Sequence, residues 1–302
     1  MSALVLALSW GNATAEPPPQ KAQFRAVSIG TLSAVALKDG ALKAANDGKS
    51  FVVGRPPSEV AAVLTSGGAP ADHFEFSIQP LLVHGGGRVL LFDTGAGSNF
   101  GGVGGELLAS MKAAGIDRAS VTDIFISHVH GDHTGGLVTS AGALNFPNAT
   151  IHISSPEWAY LSGMSVSLGQ KMGLEHVDAL VKTIQPKVAP FEPGAELIPG
   201  VVEAVDIKGH TPGHSGYLIG SGENTLLYIG DSLHSYVVSV REPQWLTAFD
   251  ADPASAAHRR VSLVARVAAS GQRLYAVHFP FPGIGKILNR DGVDTWVPES
   301  LN

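Results

Sequence analysis

Between Ser127 and Gly136 the chain reads Ser-His-Val-His-Gly-Asp-His-Thr-Gly-Gly, which places three of its 12 histidines and one aspartate within six positions. On an extended strand side chains repeat every second residue, so His128 and His130 point the same way and can reach one cation. Asp132 and His133, after Gly131 has turned the chain, can face a second cation beside the first. Neither set is complete, because zinc sites that do chemistry take about three protein ligands and keep a position open for water. The rest of the chain offers three settings for the missing donors. Gly209-His210-Thr211-Pro212-Gly213-His214 is a tight loop, Asp231 closes the apolar run Leu226 to Gly230, and His278 closes Leu274 to Val277. Each lies at the carboxyl end of an expected strand, where α/β sheets place their sites.

The elements that must position these residues follow from pattern. Phe24 to Leu37 reads as an opening strand pair, with Lys38-Asp39-Gly40 as a turn. Residues 56 to 64 read as a short helix capped by Ser58. Phe74 to Val83 and Arg88 to Phe92 read as strands joined through His84 and three glycines, and Asp93-Thr94-Gly95 follows directly. Glu106 to Ala114 has helical spacing and stops at Gly115. Ile124 to Ser127 is a short apolar strand that delivers the chain to the histidine motif. Later strands are expected near 150–153, 201–206, 215–220 and 225–230, then Leu274 to His278, with helices near 155–162, 168–185 and 254–269. Strands and helices alternate with no fixed repeat and no linker, so the fold class is α/β, and residues 16–302 are expected to form a single domain with helices outside the sheets.

Composition narrows the chemistry. With 44% hydrophobic and 15% charged residues, 36 glycines and 19 prolines, the chain describes a turn-rich globular protein. A net charge of -6, with Arg259-Arg260 the one adjacent basic pair, gives no surface for a phosphate backbone, so no nucleic acid partner is expected. Without cysteine there is no thiolate ligand or nucleophile, which leaves His, Asp and Glu to bind metal. Residues 3 to 8 are apolar and Ala13-Thr14-Ala15 precedes Glu16 and three prolines, a pattern that reads as an export signal cut after Ala15, for a periplasmic or secreted protein. No stretch is apolar for long enough to span a bilayer.

His128-x-His130-x-Asp132-His133, then Gly-His-Thr-Pro-Gly-His214, Gly230-Asp231 and His278, with Asp93-Thr94-Gly95 before them, resembles the metallo-β-lactamase superfamily over residues 24 to 290. The tail from His278 to Gly285, the turn from Asp93 to Gly97 and Phe146-Pro147-Asn148 look most like its methyl parathion hydrolase branch, itself similar to the acyl-homoserine lactonases. The resemblance implies a four-layer αβ/βα sandwich and two divalent ions, zinc first, with manganese, iron or cobalt as alternatives. Carried over by position, it implies that His128, His130 and His214 hold one ion, Asp132, His133 and His278 the other, and Asp231 bridges both. A carboxylate suits that place, since one anion between two dications about 3.5–4 Å apart lessens their repulsion and leaves a gap for the attacking hydroxide.

The implied reaction is hydrolysis of an ester, with Asp132 taking the hydroxide's proton and passing it to the leaving group. His210 is read as bracing the loop, Asp93 as accepting from a ligand histidine or holding loop amides, and His234 as either lining the substrate pocket or packing. Phe100 and Tyr160 stand where pocket aromatics are expected, with Trp158, Trp245, Phe279 and Phe281 as further candidates. The expected substrate is a small hydrophobic ester, either an organophosphate triester or an aryl carboxylester. A lactone is the close alternative, a β-lactam a remoter one, and a non-enzymatic periplasmic metal-binding protein the reading from another class. A homodimer is one association the sequence allows.

Overall fold

The computed structural model describes residues 22–97 and 102–300, so the expected export signal and Phe100 lie outside the described residues. The first half of the chain forms β1 (Phe24–Ile29), β2 (Leu32–Leu37), β3 (Gly40–Ala45), α1 (Pro57–Ser66), β4 (His73–Ile78), β5 (Leu81–Gly85), β6 (Arg88–Phe92), α2 (Leu107–Ala113), β7 (Asp123–Phe125), α3 (Gly131–Thr134), β8 (Thr150–Ser154), α4 (Ser155–Ser162), α5 (Val166–Lys171), α6 (Val177–Ile184) and β9 (Val188–Phe191). The second half forms β10 (Glu196–Ile198), β11 (Val202–Asp206), β12 (Ser215–Ile219), β13 (Leu226–Tyr228), α7 (Val238–Arg241), α8 (Pro253–Ser270), β14 (Arg273–Tyr275), β15 (Ile284–Arg290) and β16 (Val293–Pro298).

Two seven-stranded sheets result, ordered β1-β2-β5-β6-β7-β8-β9 and β10 through β16, with β3 and β4 as a separate two-stranded ribbon. Strand alternation decides what each face buries. Leu81, Val83, Leu90 and Phe92 meet Tyr217, Ile219, Leu226 and Tyr228 of the other sheet in one core between the sheets. The intervening residues Leu82 and Leu91 face outward, against Met111 of α2, Leu161 of α4 and Ile184 of α6. On the far side Leu227 and Leu274 pack against Leu263, Val264 and Val267 of α8. The layers therefore run helix, sheet, sheet, helix, the four-layer αβ/βα sandwich. No helix among the described residues is long and apolar enough to cross a membrane.

Several local expectations are corrected. Strand β7 ends at Phe125, so His128 and His130 stand on an extended loop beyond it, and Asp132 and His133 lie in the short helix α3. Helix α1 begins at Pro57 with no side-chain cap, because a proline at the first helical position supplies the required φ and has no N–H to satisfy; Ser58 lies inside the helix. The expected strand over 74–83 is two strands, broken at Gln79-Pro80, so β4 pairs with β3 while β5 joins the first sheet. The helix expected over 168–185 splits into α5 and α6 around Gly173, whose φ is 77°. Strands β3, β9, β10, β15 and β16 are additions to the expected list.

The central pairs β6–β7 and β13–β14 are parallel, each in the middle of its sheet. Their carboxyl ends open on the same edge of the sandwich. The chain leaves that edge at Asp93, at the 126–133 loop, at Asp231 and at His278.

Candidate metal centre

At this edge donor atoms converge in two sets, and Asp231, His234 and His278 form a third grouping that overlaps them. In the first, His130 Nδ1 lies 3.0 Å from His128 Nε2 and 2.9 Å from His210 Nε2, with Asp231 Oδ2 at 3.3 Å from His210 Nε2. In the second, His133 Nε2 and His278 Nε2 lie 3.6 and 3.5 Å from Asp132 Oδ2, and both lie 3.1 Å from Asp231 Oδ1. Asp231 thus meets both sets, with Oδ1 toward His133 and Oδ2 toward His210, and His278 Nε2 within reach of either oxygen, 3.2 Å from Oδ2. Two nitrogens bound tetrahedrally to one zinc at about 2.0–2.1 Å stand about 3.3–3.4 Å apart, and the observed spacings straddle that value.

The donors fit a divalent cation on another count. His133 Nε2 and Asp231 Oδ1 are buried and have no hydrogen-bond partner. A buried polar atom left unsatisfied costs about 1–3 kcal/mol, and both atoms point into the cluster. Imidazole nitrogen and carboxylate oxygen in this number suit zinc and its neighbours.

The other ring nitrogen of each donor histidine is held from behind, which fixes tautomer and orientation. His133 Nδ1 donates to Asp93 Oδ2 at 2.8 Å, His210 Nδ1 to Asp250 Oδ1 at 2.8 Å, and His278 Nδ1 to the Ser77 carbonyl at 2.7 Å. His130 Nε2 faces Met172 Sδ at 3.0 Å, and His128 Nδ1 faces Ser127 Oγ at 3.1 Å. Asp93 also accepts from the Ser127 amide and hydroxyl and from the Tyr228 hydroxyl, at 2.6–2.7 Å. Its φ of 56° is a left-handed conformation that aspartate tolerates better than most residues.

Charge follows from this packing. Burial pushes His130 down to about 3 and His128 well below the usual histidine range. For His133, burial is outweighed by the carboxylates of Asp231, Asp132 and Asp93, which hold it well above that range, and for His210, Asp231 and Asp250 overcome burial to lift it to about 9. Against burial, His133 and its neighbours keep the Asp231 and Asp132 carboxyls well below the carboxylate range.

One expectation is reversed. His210, read as a brace, stands in the first donor set, while His214, read as a ligand, stands outside both sets. His214 Nε2 accepts the Asp231 amide at 3.1 Å, and its ring lies beneath Gly230, where a Cβ would come within 2.4 Å of that nitrogen. His214 is thus spent on the backbone that carries Asp231. Two distant residues impose the exchange: Ser215 begins β12 with its amide on the Ser127 carbonyl at 2.9 Å, which fixes His214, and Asp250 holds the ring of His210. Sequence reading missed Asp250, and no local pattern marks it.

An open cavity over the donors is lined by Leu42, Phe76, His130, Asp132, Lys171, Met172, Asp231, His234, Ala248, Phe249 and His278. His234 is on its wall, stacked on His278, with Nε2 3.0 Å from Asp231 Oδ2. Burial lowers its ring to about 4. Tyr160 does not line this cavity: it packs with Trp158 on the helical side of the first sheet. Trp245 packs beside α1, Phe279 near α8 and Phe281 against the core between the sheets. The aromatic wall is supplied by Phe76 and Phe249 instead, from the β3–β4 ribbon and the 242–252 loop.

Comparison with known proteins adds independent findings. The family described as the metallo-beta-lactamase superfamily matches residues 75–278, a span that holds every donor above. The dizinc quorum-quenching lactonase AidC, solved with the product N-hexanoyl-L-homoserine, superposes with a TM-score of 0.85 at 29% identity, covering 93% of this chain and 99% of that one. The hydrolase AbOPH superposes with a TM-score of 0.81, also at 29% identity, covering 94% of this chain and 99% of that one. The uncharacterized Bacillus subtilis (strain 168) protein YobT is 36% identical over 110 residues, 36% of this chain and 45% of its own length, so the chain spans less than half of that relative.

Proposed function

The chain belongs to the metallo-β-lactamase superfamily of hydrolases, and from that premise we propose that it is a dinuclear metal hydrolase of lactones and other hydrophobic carboxylic esters. The observation that carries the reading is Asp231, whose carboxylate lies between His210 of the first donor set and His133 of the second, at 3.3 and 3.1 Å, beneath an apolar cavity. A bound pair of divalent ions supplies two things there, a lowered pKa for water and polarisation of the scissile carbonyl. The likeness to AidC across nearly the whole of both chains supports lactones as the first class to try.

The protein's own groups account for the rest. Leu42, Phe76, Met172, Ala248 and Phe249 exclude water and receive the apolar part of the substrate. His234, on the cavity wall with Nε2 3.0 Å from Asp231 Oδ2, steadies that carboxylate beneath the substrate. Asp132, ionised and on the cavity wall, takes the proton of the attacking water and returns it to the departing alkoxide. Aryl carboxylesters are the second reading, favoured by the rings of Phe76 and Phe249, which lie 6.1 Å apart and nearly perpendicular.

The experiment is turnover of an acyl-homoserine lactone, p-nitrophenyl acetate and methyl paraoxon by zinc-loaded protein beside its Asp132→Asn variant. The lactone is expected to give the highest specificity constant, with a loss of about 100-fold or more in the variant. Methyl paraoxon ranking first would replace carboxylic esters by phosphotriesters, and inert wild type and variant on all three would remove the hydrolase reading.

A further inference from the structure

Ser154-Ser155-Pro156-Glu157 has the form of a capping box, in which the acidic side chain folds back on its own helix entry. Half of that box forms, because Ser154 Oγ accepts the Glu157 amide. The Glu157 carboxylate goes elsewhere. Its Oε1 accepts the Val129 amide at 2.9 Å and its Oε2 the Gly213 amide at 2.7 Å. Val129 stands between His128 and His130, and Gly213 is three residues beyond His210.

We propose that Glu157 is a positioning residue that clamps the 126–133 loop of one sheet to the 207–214 loop of the other, setting the distance at which His128, His130 and His210 share an ion. Side chain and residue are fully buried, and burial pushes the carboxyl up while the Thr211 hydroxyl and the two amides oppose it. Sealing a carboxylate in the interior is costly, and a neutral residue would serve for packing alone. Two amides pointing at one side chain need two acceptor oxygens. A glutamine offers one and turns an NH2 donor toward the other amide, so the clamp requires the acid. Contact is close as well as polar: a Cβ at Gly213 would come within 2.3 Å of the Glu157 nitrogen, so only glycine lets the loop approach α4 this nearly. The second donor set, Asp132, His133 and His278, has no hydrogen bond to Glu157 and is held instead by Asp93 and Ser77. The clamp therefore acts on one ion of the two.

This inference rests on the dinuclear reading, and the test separates them. Wild type, Glu157→Gln and Gly213→Ala are each stripped with a chelator and titrated with Co2+, following bound ions by elemental analysis and the visible d–d absorption, with melting of the stripped proteins as a check of folding. Wild type is expected to take two ions. Glu157→Gln is expected to keep the ion of the second set within about threefold of its wild-type affinity and to weaken the other by at least tenfold, with the matching part of the cobalt spectrum lost. Gly213→Ala, which leaves the carboxylate in place and pushes the loop from it, is expected to lose the same ion. Two ions held at wild-type strength in both variants, or both ions weakened equally, would overturn the clamp. Failure of the wild type to bind two ions would overturn the dinuclear reading itself.

Discussion

The loop after β7 and the three loops after β11, β13 and β14 supply the same kinds of donor by different means. The first carries His128, His130, Asp132 and His133 on a single excursion, ending in one turn of helix. The others contribute one donor each, His210, Asp231 and His278, from positions far apart in the chain but adjacent at the edge of one sheet. A contiguous loop fixes its donors relative to each other through local backbone. Dispersed loops must each be oriented by something outside themselves, and here they are: Asp250 behind His210, the Ser77 carbonyl behind His278, and the His214 ring beneath the Asp231 amide.

The largest expected effect comes from removing the residue both sets share. Asp231→Ala should bind one ion or none by elemental analysis and lose turnover by about a thousandfold or more; retention of two ions would mean that the two sets are independent. Next comes the exchange of roles in the 209–214 loop. His210→Ala should lose the ion of the first set, whereas His214→Ala should still bind two ions and show a lower melting temperature, and the reverse pattern would restore the sequence-based assignment. A smaller effect, and a direct comparison of the two means of support, comes from Asp250→Asn and Asp93→Asn. Each keeps its shape and loses charge, so each should weaken one ion by about 10–100-fold, the first set for Asp250 and the second for Asp93. Equal weakening of both ions by either variant would show that the supports are not separate.

The smallest effect belongs to the opposite edge of the first sheet. Asp123, at the start of β7, accepts from Arg88 at 2.9 Å and His152 at 2.8 Å. Against burial, His152, Thr122 and Arg88 hold its carboxyl below the usual range. A carboxyl lowered by folding adds stability above its unfolded value of about 3.9, and that stability fades as pH falls through the folded value. Asp123→Asn should therefore lower the melting temperature near neutrality by about 1–2 °C, roughly 1 kcal/mol in a chain of this size, with the gap from wild type closing below about pH 4. Metal content should not change.

The same contrast explains what could be read from the sequence. His128, His130, Asp132 and His133 declare themselves because their spacing is local, and Asp231 and His278 because apolar strands end just before them. His210 and His214 sit on one loop with equal local claims, and the deciding contact is with Asp250, 40 residues away. The pocket aromatics were unreadable for a related reason. Phe76 lines the cavity because Gln79-Pro80 breaks the chain and frees β4 to form a ribbon with β3, a matter of pairing that alternation along the strand does not reveal. Central strands with unbroken apolar runs were plain, while short edge strands such as β9 and β10 owe their place to partners remote from their own residues.

The tie between His278 and residue 77 runs through main chain in both directions, ring to carbonyl and amide to carbonyl. The histidine asks only a backbone of that position, while the Ser77 hydroxyl serves Lys38 and Gln79. The ribbon that walls the cavity can therefore exchange a residue such as Leu42, and with it the shape it offers to a guest, while the histidine it steadies keeps its aim. Selection for a new substrate has a surface here that it can reshape without first dismantling the chemistry beneath.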